Sequence, residues 1–266
     1  MTRAVIRTHV GRADHGSNTY FGYRVETELF GQETLTSLLA MGVTGRRASP
    51  RQRAVLDAMA VALSSADPRI WMFKATRLGA AYGGMVSGLV AGQLCLHRAR
   101  VGHLTCSEAA RALHRMAARA GGLDDPEAFR ASVREELRER GRLIGFGVPF
   151  RREDERALAL AAHVRSLGAG GPWLAALEGP VADVVREEQG LEPNGGAYVA
   201  AILTDVGFQP REVGPLVFAM GLHGFVANAV EGAEQAPPVL QRLPPDRVRY
   251  DGPPPRRSPR ADGTEP

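Results

Sequence analysis

An uncharged stretch, LGAAYGGMVSGLVAGQLCL at residues 78–96, restricts the possible folds of this chain more than any other feature. Gly84, Gly88 and Gly92 repeat in it at four-residue spacing, which places them on one face of a helix. Small residues at this spacing let two helices approach closely, in a membrane or in a packed core. Five glycines, a serine and a glutamine make the stretch only weakly hydrophobic for a membrane span. We therefore expect a helix packed in a core or a dimer interface, and no membrane partner.

The charge pattern does not indicate a nucleic-acid partner. The chain has 266 residues, a net charge of +4 and a pI of about 9.5. Its only lysine is Lys74, and its arginines alternate with acidic residues, as in REELRER at 134–140 and RREDER at 151–156. A nucleic-acid interface needs basic residues clustered on one face with aromatic residues between them. We therefore expect no nucleic-acid binding.

Cysteine and histidine spacing predicts neither disulfides nor a metal site. The two cysteines, Cys95 and Cys106, form no CxxC motif, and the seven histidines are dispersed. The N-terminal sequence MTRAVIRTHVGR lacks the apolar segment of a signal peptide. We expect a cytoplasmic protein without a bound metal.

Helix signals recur along the chain and predict a mostly helical protein. Capping boxes and other helix starts are found at Ser49 with Gln52, Thr105 with Glu108, Asp125-Pro126 and Asn194. Apolar periodicity predicts further helices over 158–167 and 215–231. AVIRTHV at residues 4–10 resembles an edge strand, and the Pro-rich tail after about residue 250 is typical of disorder.

The segment GFGVPFRREDER at residues 145–156 has the glycines and charges of a functional loop. GFG alone is too short for a dinucleotide-binding fingerprint, and no Gly-closed helix start follows it. Val148, at the tip of the loop, has no group for acid–base chemistry. The segment does not predict a nucleotide-binding loop.

Six segments in series resemble motifs of the citrate synthase family. They are 19–63, the Gly-rich helix 78–96, GFGVPFRREDER at 145–156, PNGGAYVAAIL at 193–203, FAMGLHGFVANAVEG at 218–232 and PPDRVRYDGP at 244–253. The third is similar to the family's GxGHxV…DPR loop, and the fourth to its PNVDxYSG loop. The resemblance covers roughly residues 16 to 253, and the length is closer to the short citryl-CoA-lyase-like branch.

The resemblance implies an all-α, two-lobed fold of the citrate synthase type, with minor β structure at the N-terminus. The implied divisions are an N-terminal segment 1–15, a large helical domain 16–104 plus 191–250, a small helical domain 105–190 and a disordered tail 251–266. It also implies a cleft between the lobes and dimerisation through helix 78–96, as a homodimer or as a heteromer with a paralogue.

In this family an aspartate removes a proton from the acetyl thioester, one histidine polarises the thioester oxygen and a second histidine protonates the acceptor carbonyl. The matching positions here are Val101, Val148 and Gly196, and none of these residues can ionise. A general acid or base is typically worth about 10²–10⁴ in rate, so we expect no ordinary citrate synthesis.

Part of the family's substrate-binding apparatus is retained. Arg156 matches the arginine of DPR, which binds a substrate carboxylate, although it could instead be a surface arginine paired with Glu153. The other implied binding positions are Val101, Val148, Asn194, Gly196, Asn228 and Arg249, with Arg247 as an alternative to Arg249. A coenzyme A thioester is the implied substrate.

Two interpretations remain open. In the first, the chain is a diverged acyl-CoA-dependent acyltransferase or lyase that acts on a non-citrate, more apolar small molecule. His103 and His223, helped by Asp154 or Glu153, would then supply the acid or base. In the second, it is a catalytically inactive relative that acts as a binding, regulatory or heteromer subunit.

Overall fold

The computed structural model describes residues 5–64, 66–97, 101–149, 151–235 and 244–254. Within these ranges, three short strands precede a series of helices. The strands are β1 (Gly11–Asp14), β2 (Ser17–Tyr20) and β3 (Tyr23–Arg24). The helices are α1 (Leu35–Thr44), α2 (Pro50–Ala62), α3 (Trp71–Leu96), α4 (His103–Ala120), α5 (Pro126–Arg140), α6 (Glu155–Ser166), α7 (Pro172–Ala176), α8 (Ala182–Gln189), α9 (Gly195–Asp205), α10 (Pro210–Met220) and α11 (Leu222–Glu234). The predicted mostly helical fold with a small N-terminal β region is confirmed.

The N-terminal strands form an antiparallel sheet in the order β1-β2-β3. Asp14 pairs with Ser17, which leaves a two-residue turn whose second residue, Gly16, has φ of 78°. The predicted strand over 4–10 is wrong, because residues 5–10 lie outside the sheet. The sequence signal that was missed is the His15-Gly16 pair, since two-residue hairpin turns favour glycine at positive φ.

The predicted helix starts are mostly confirmed. Ser49 and Gln52 form the predicted capping box, and Asp125 accepts the N–H groups of residues 127 and 128. The predicted box at Thr105 is wrong, because α4 begins two residues earlier and the Thr105 hydroxyl donates to the Gly102 carbonyl at 2.6 Å. Gly102, with φ of 73°, turns the chain into the helix before Thr105 is reached.

Helix α9 lies at the centre of the main core. Each of its residues from Ala197 to Thr204 is buried, and it packs against α4, α6 and α7. Asp205, at its end, accepts backbone N–H groups of Gly171, Trp173 and Leu174 and so caps α7. A single cluster of buried side chains contains residues from both predicted lobes. The boundaries between the two lobes stay a prediction.

Helix α3 is a hairpin of two arms, 71–83 and 85–96. It breaks at Gly84, where φ is 77° and ψ is 175°. A Cβ at Gly88 would lie 2.5 Å from the Thr76 carbonyl oxygen, and a Cβ at Gly92 would collide with the Thr76 hydroxyl. Residues 76 and 92 would be about 24 Å apart in a continuous helix, so the arms must fold back on each other. The predicted single helix over 78–96 is therefore wrong, and Gly88 and Gly92 instead make a close contact within the chain.

A second, smaller core joins α3 to α11. Met72, Phe73 and Leu96 pack with Phe225 of α11. The predicted helix over 215–231 is divided at Gly221, because α10 ends at residue 220 and α11 begins at residue 222.

Two segments, Trp71–Leu96 and Pro210–Glu234, are long and apolar enough to cross a membrane. Each arm of α3 spans only about 18 Å, however, at about 1.5 Å per residue. The hydrocarbon core of a bilayer is about 30 Å thick. As folded, the first segment is therefore not a continuous span.

Candidate functional site

Backbone and side-chain hydrogen bonds join two loops at a place we call the loop crossing (residues 145–148 and 192–196). Gly147 donates its backbone N–H to the Glu192 carbonyl at 2.8 Å, and Asn194 donates its own to the Gly145 carbonyl at 2.8 Å. The Asn194 side chain donates to the Gly147 carbonyl at 2.9 Å. Asn194 therefore fixes the position of the Gly-rich loop and also caps α9 through the N–H of Gly196.

The start of α4 reaches the same place. A Cβ at Gly196 would lie 3.6 Å from the Thr105 hydroxyl and 3.8 Å from the Gly145 Cα. Val148 is half-buried at the tip of its loop, and Val101 is exposed two residues before α4 begins. Segments carrying two of the three expected positions therefore meet at the loop crossing. A meeting of Val101 with the other two positions stays a prediction.

Asp154 joins α6 to the loop crossing. Its side chain is buried, with 7% of the residue exposed. One oxygen accepts the Gly195 N–H at 2.9 Å, and the other accepts the Ala157 N–H at 3.3 Å. Because both oxygens hold backbone groups, the geometry gives Asp154 a capping and positioning role. The acid–base role expected from the sequence stays a prediction.

Replacing Asp154 with alanine should therefore lower the free energy of unfolding by about 2–3 kcal/mol, since two buried N–H groups lose their acceptors. Glu153→Ala removes an exposed carboxylate next to it and should change the value by less than about 0.5 kcal/mol. Urea unfolding measures both variants. Equal stability of the two variants would contradict the role assigned to Asp154.

His103 lies on the face of α4 opposite the loop crossing. Only 8% of it is exposed, and its ring packs edge-on against Phe218 of α10 at 5.0 Å. Residues two apart on a helix differ by about 200°, so Thr105 faces Gly196 while His103 faces α10. Among the described residues, no partner hydrogen-bonds the buried Nδ1. Burial, and then the nearby His97, lower the pKa of His103, so the ring is neutral at neutral pH.

The remaining candidates lie away from the loop crossing in the described parts of the chain. His223 is exposed at the start of α11, with Nδ1 2.9 Å from the Met220 carbonyl oxygen. Asn228 is buried and donates to the carbonyls of residues 66 and 224. Its Oδ1 accepts from the Arg77 guanidinium of α3 at 3.1 Å, so it supports the contact between α3 and α11. Arg249 is exposed and pairs with Asp251 at 2.8 Å.

An open cavity of about 670 Å³ lies between α2 and α6, with the exposed side chains of Val61, Arg151 and Ala159 in its wall. Arg151 and Arg156 both line it, and the expected positions Val148 and Gly196 do not. The carboxylate nearest to the Arg156 guanidinium in the described residues is that of Asp154, at 3.9 Å, so the predicted pairing with Glu153 is not observed. His163 also lines the cavity, on the same face of α6 as Arg156 and two turns further along the helix. Sequence reasoning did not find it, although the seven-residue spacing was a usable signal.

In the described ranges, no group of three or more His, Cys, Asp or Glu residues is placed to hold a metal ion. His97 and His103 approach each other with ring centroids 6.3 Å apart, and among the described residues no third His, Cys, Asp or Glu completes a cluster with them.

Comparison with known proteins identifies the fold. The family profile described as "Citrate synthase, C-terminal domain" matches residues 73–242, which is more than half of the chain. The structure of citryl-CoA lyase from Hydrogenobacter thermophilus superposes with a TM-score of 0.80 at 23% identity, covering 98% of this chain and 100% of that one. No curated protein sequence matches the chain.

Two larger enzymes contain a similar region. An ATP citrate lyase mutant from Methanosaeta concilii, in complex with (3S)-citryl-CoA, gives a TM-score of 0.72 at 15% identity, covering 100% of this chain and 44% of that one. Citrate synthase from Thermoplasma acidophilum was solved in a ternary complex with carboxymethyl coenzyme A and oxaloacetate. It gives a TM-score of 0.54 at 21% identity, covering 87% of this chain and 60% of that one. At these identities the similarity shows a shared citrate synthase-like helical fold.

Proposed function

The chain belongs to the citrate synthase family, and we propose that it binds an acyl-CoA thioester at the loop crossing. We propose further that it forms or cleaves a carbon–carbon bond in a substrate that is more apolar than citrate. The retained loop framework supports this proposal, because Asn194 holds the Gly-rich loop by backbone and side-chain hydrogen bonds. Solved structures with the same fold hold citryl-CoA, or carboxymethyl coenzyme A with oxaloacetate.

The absence of an ionisable side chain at Val148 and at Gly196 is the basis for proposing a different substrate. Val148 and Gly196 offer a hydrocarbon side chain and a bare backbone where proton transfer to a polar acceptor would need an acid and a base. A drier, roomier site favours an apolar substrate, since about 25 cal/mol is gained per Å² of apolar surface removed from water. Arg156 is the proposed carboxylate contact, because a guanidinium fork matches a carboxylate in shape and charge.

His103 and His223 are the proposed proton-transfer groups of this enzyme. His103 is neutral at neutral pH and so has a nitrogen able to accept a proton. Its ring packs on Phe218 and faces away from Gly196, so proton transfer by His103 requires the acyl group to extend from the loop crossing to the α10 side of α4.

Turnover tests this proposal. The protein is mixed with acetyl-CoA or longer acyl-CoAs and a panel of keto acids, and release of free thiol is followed. We expect slow, acyl-chain-dependent release that falls at least tenfold in His103→Ala and stays within twofold in His9→Ala, a histidine exposed outside the site. Absence of product with every pair, together with unchanged thermal stability on adding acyl-CoA, would reject the proposal.

A non-catalytic role is the second candidate, favoured by the orientation of His103 away from Gly196. In that case the chain would bind a ligand as a subunit of a complex. Copurification from its host with an active paralogue would support this role, and an active homodimer of this chain alone would exclude it.

We also propose that the chain forms a homodimer through the α3 hairpin and α11. Exposed apolar side chains form a stripe on each element, at Tyr82, Val86, Val90 and Leu94 of α3 and at Leu222, Val226 and Val230 of α11. This stripe, rather than the internally packed Gly88 and Gly92, provides the contact surface. Light scattering of wild type and Val86→Glu tests it, and an unchanged mass would count against the proposed dimer.

A further inference from the structure

The space beside Gly196, which we call the Gly196 gap, is bordered by atoms of the loop crossing and of α4. A Cβ on Gly196 would lie 3.1 Å from the Asn194 Oδ1, 3.6 Å from the Thr105 Oγ1 and 3.8 Å from the Gly145 Cα. Thr105, Asn194 and Gly196 are half-buried, so the gap is not sealed inside the core. Gly196 lies in the first turn of α9 with a negative φ, so the backbone does not require a glycine here.

The two oxygens that border the gap can only accept hydrogen bonds from a ligand. The Thr105 hydroxyl donates its proton to the Gly102 carbonyl at 2.6 Å, which leaves the hydroxyl oxygen as an acceptor. The Asn194 Oδ1 accepts the Gly196 N–H at 2.9 Å, and as an amide oxygen it has a second lone pair. Its amide nitrogen is directed to the Gly147 carbonyl, which fixes the orientation of the amide. The gap therefore selects a ligand group that donates a hydrogen bond.

The backbone N–H groups at the start of α9 already have acceptors. Gly195 donates to Asp154 at 2.9 Å, and Ala197 donates to the Asn194 carbonyl at 3.0 Å. Because Gly196 donates to the Asn194 side chain, the first three N–H groups of the helix are all used. A carboxylate or a thioester carbonyl in the gap would therefore face acceptor oxygens and lose the hydrogen bonds that it makes with water.

We propose that the Gly196 gap binds a hydrogen-bond donor, a hydroxyl or an amino group, on an otherwise apolar acyl chain. The contacts are the Thr105 Oγ1 and the Asn194 Oδ1. In the resemblance to the family, Gly196 matches the aspartate that removes a proton, so the glycine exchanges a charged group of the protein for space that a ligand can occupy. The inference rests on the proposed function, because the gap is part of the loop crossing where the thioester is proposed to bind.

Calorimetric titration of the full chain with four-carbon thioesters tests the inference. The α-hydroxybutyryl, β-hydroxybutyryl and β-aminobutyryl thioesters of coenzyme A carry a donor, acetoacetyl-CoA carries an acceptor, and butyryl-CoA carries neither. We expect at least one donor thioester to bind about tenfold more tightly than butyryl-CoA, since a site with polar groups placed for a donor disfavours an analogue that lacks it. If no donor thioester binds more tightly than both butyryl-CoA and acetoacetyl-CoA, the inference is overturned.

Matched variants locate the contact. Thr105→Val keeps the shape of the side chain without the hydroxyl, and Gly196→Ala fills the gap with a methyl group. Each should lower the affinity ratio of the donor thioester to butyryl-CoA from about tenfold to less than about twofold. Thr105→Ser retains the hydroxyl and should keep the ratio, as should Thr204→Val, which removes a hydroxyl bonded to the Ala200 carbonyl within α9. A ratio that stays about tenfold in both gap variants, or that falls equally in Thr204→Val, would overturn the assignment.

Butyryl-CoA separates the failure of this inference from the failure of the proposed function. If butyryl-CoA binds and the donor thioesters bind no more tightly, the thioester site stands and this inference is rejected. If none of the thioesters binds to the folded protein, the proposed function is rejected and this inference with it.

Discussion

Gly88→Val should lower the free energy of unfolding by about 3 kcal/mol, because it separates the two arms of the α3 hairpin. A Cβ at Gly88 would lie 2.5 Å from the Thr76 carbonyl oxygen and 2.6 Å from the Ala80 Cβ. Both neighbours belong to the other arm, one of them to its backbone, so neither can move aside without opening the hairpin. Urea unfolding at fixed protein concentration measures the change.

Gly221→Val is the matched control. Gly221 has φ of −76°, and an added Cβ would meet its nearest atom, the Val217 carbonyl oxygen, at the ordinary contact distance of 3.4 Å. We expect the free energy of unfolding to change by no more than about 1 kcal/mol, because no neighbour has to move and valine and glycine differ by less than that in helix preference. If the two valines destabilise the protein equally, the glycine contact is not what holds the hairpin closed.

Glu136→Gln should cost about 3 kcal/mol, because it removes the charge that neutralises three arginines between α4 and α5. The Glu136 side chain is 0% exposed and contacts Arg115 at 2.6 Å, Arg119 at 2.9 Å and Arg140 at 3.2 Å. Burial alone would raise the pKa of Glu136, but the hydrogen bond and charge of Arg115 and the charges of Arg119 and Arg140 outweigh it and lower the pKa. A lowered folded pKa means that this stabilisation is present above the ordinary pKa of glutamate and is lost as the pH falls through the folded pKa.

Glu135→Gln removes the same charge from the exposed neighbour and should change stability by less than about 0.5 kcal/mol. Unfolding of both variants is compared at pH 7 and at pH 3. A wild-type advantage over Glu136→Gln that persists unchanged at pH 3 would show that the ion cluster is not its source.

Local signals in the sequence predicted the helix starts that depend on one side chain. Ser49, Asp125 and Asn194 cap their helices as expected, because a cap needs only a short polar side chain and the N–H groups of the next turn. The hairpin at Gly84 could not be predicted this way. Glycines at four-residue spacing indicate that another segment of backbone packs closely against them. They do not show that this segment is the other arm of the same helix.

The sequence was sufficient to predict which loops form the candidate site and which residue types they carry. The resemblance identified the segments around Val148 and Gly196, which the structure joins through Asn194. The resemblance did not show on which face of α4 His103 lies, because the helix starts at His103, two residues before the predicted cap at Thr105. The role of Asp154 was also hidden, because its partner Gly195 is distant in sequence and is bound through the backbone.

Calorimetric titration of the full chain with acetyl-CoA tests the thioester site most directly, with Val148→Glu as the blocking variant and Leu158→Glu, at an exposed apolar position on α6, as the control. We expect wild type and the control to bind. Val148→Glu should bind at least tenfold more weakly, because its carboxylate would repel the anionic coenzyme at the loop crossing. No binding of acetyl-CoA to folded wild-type protein, or equal binding by both glutamate variants, would contradict a thioester site there.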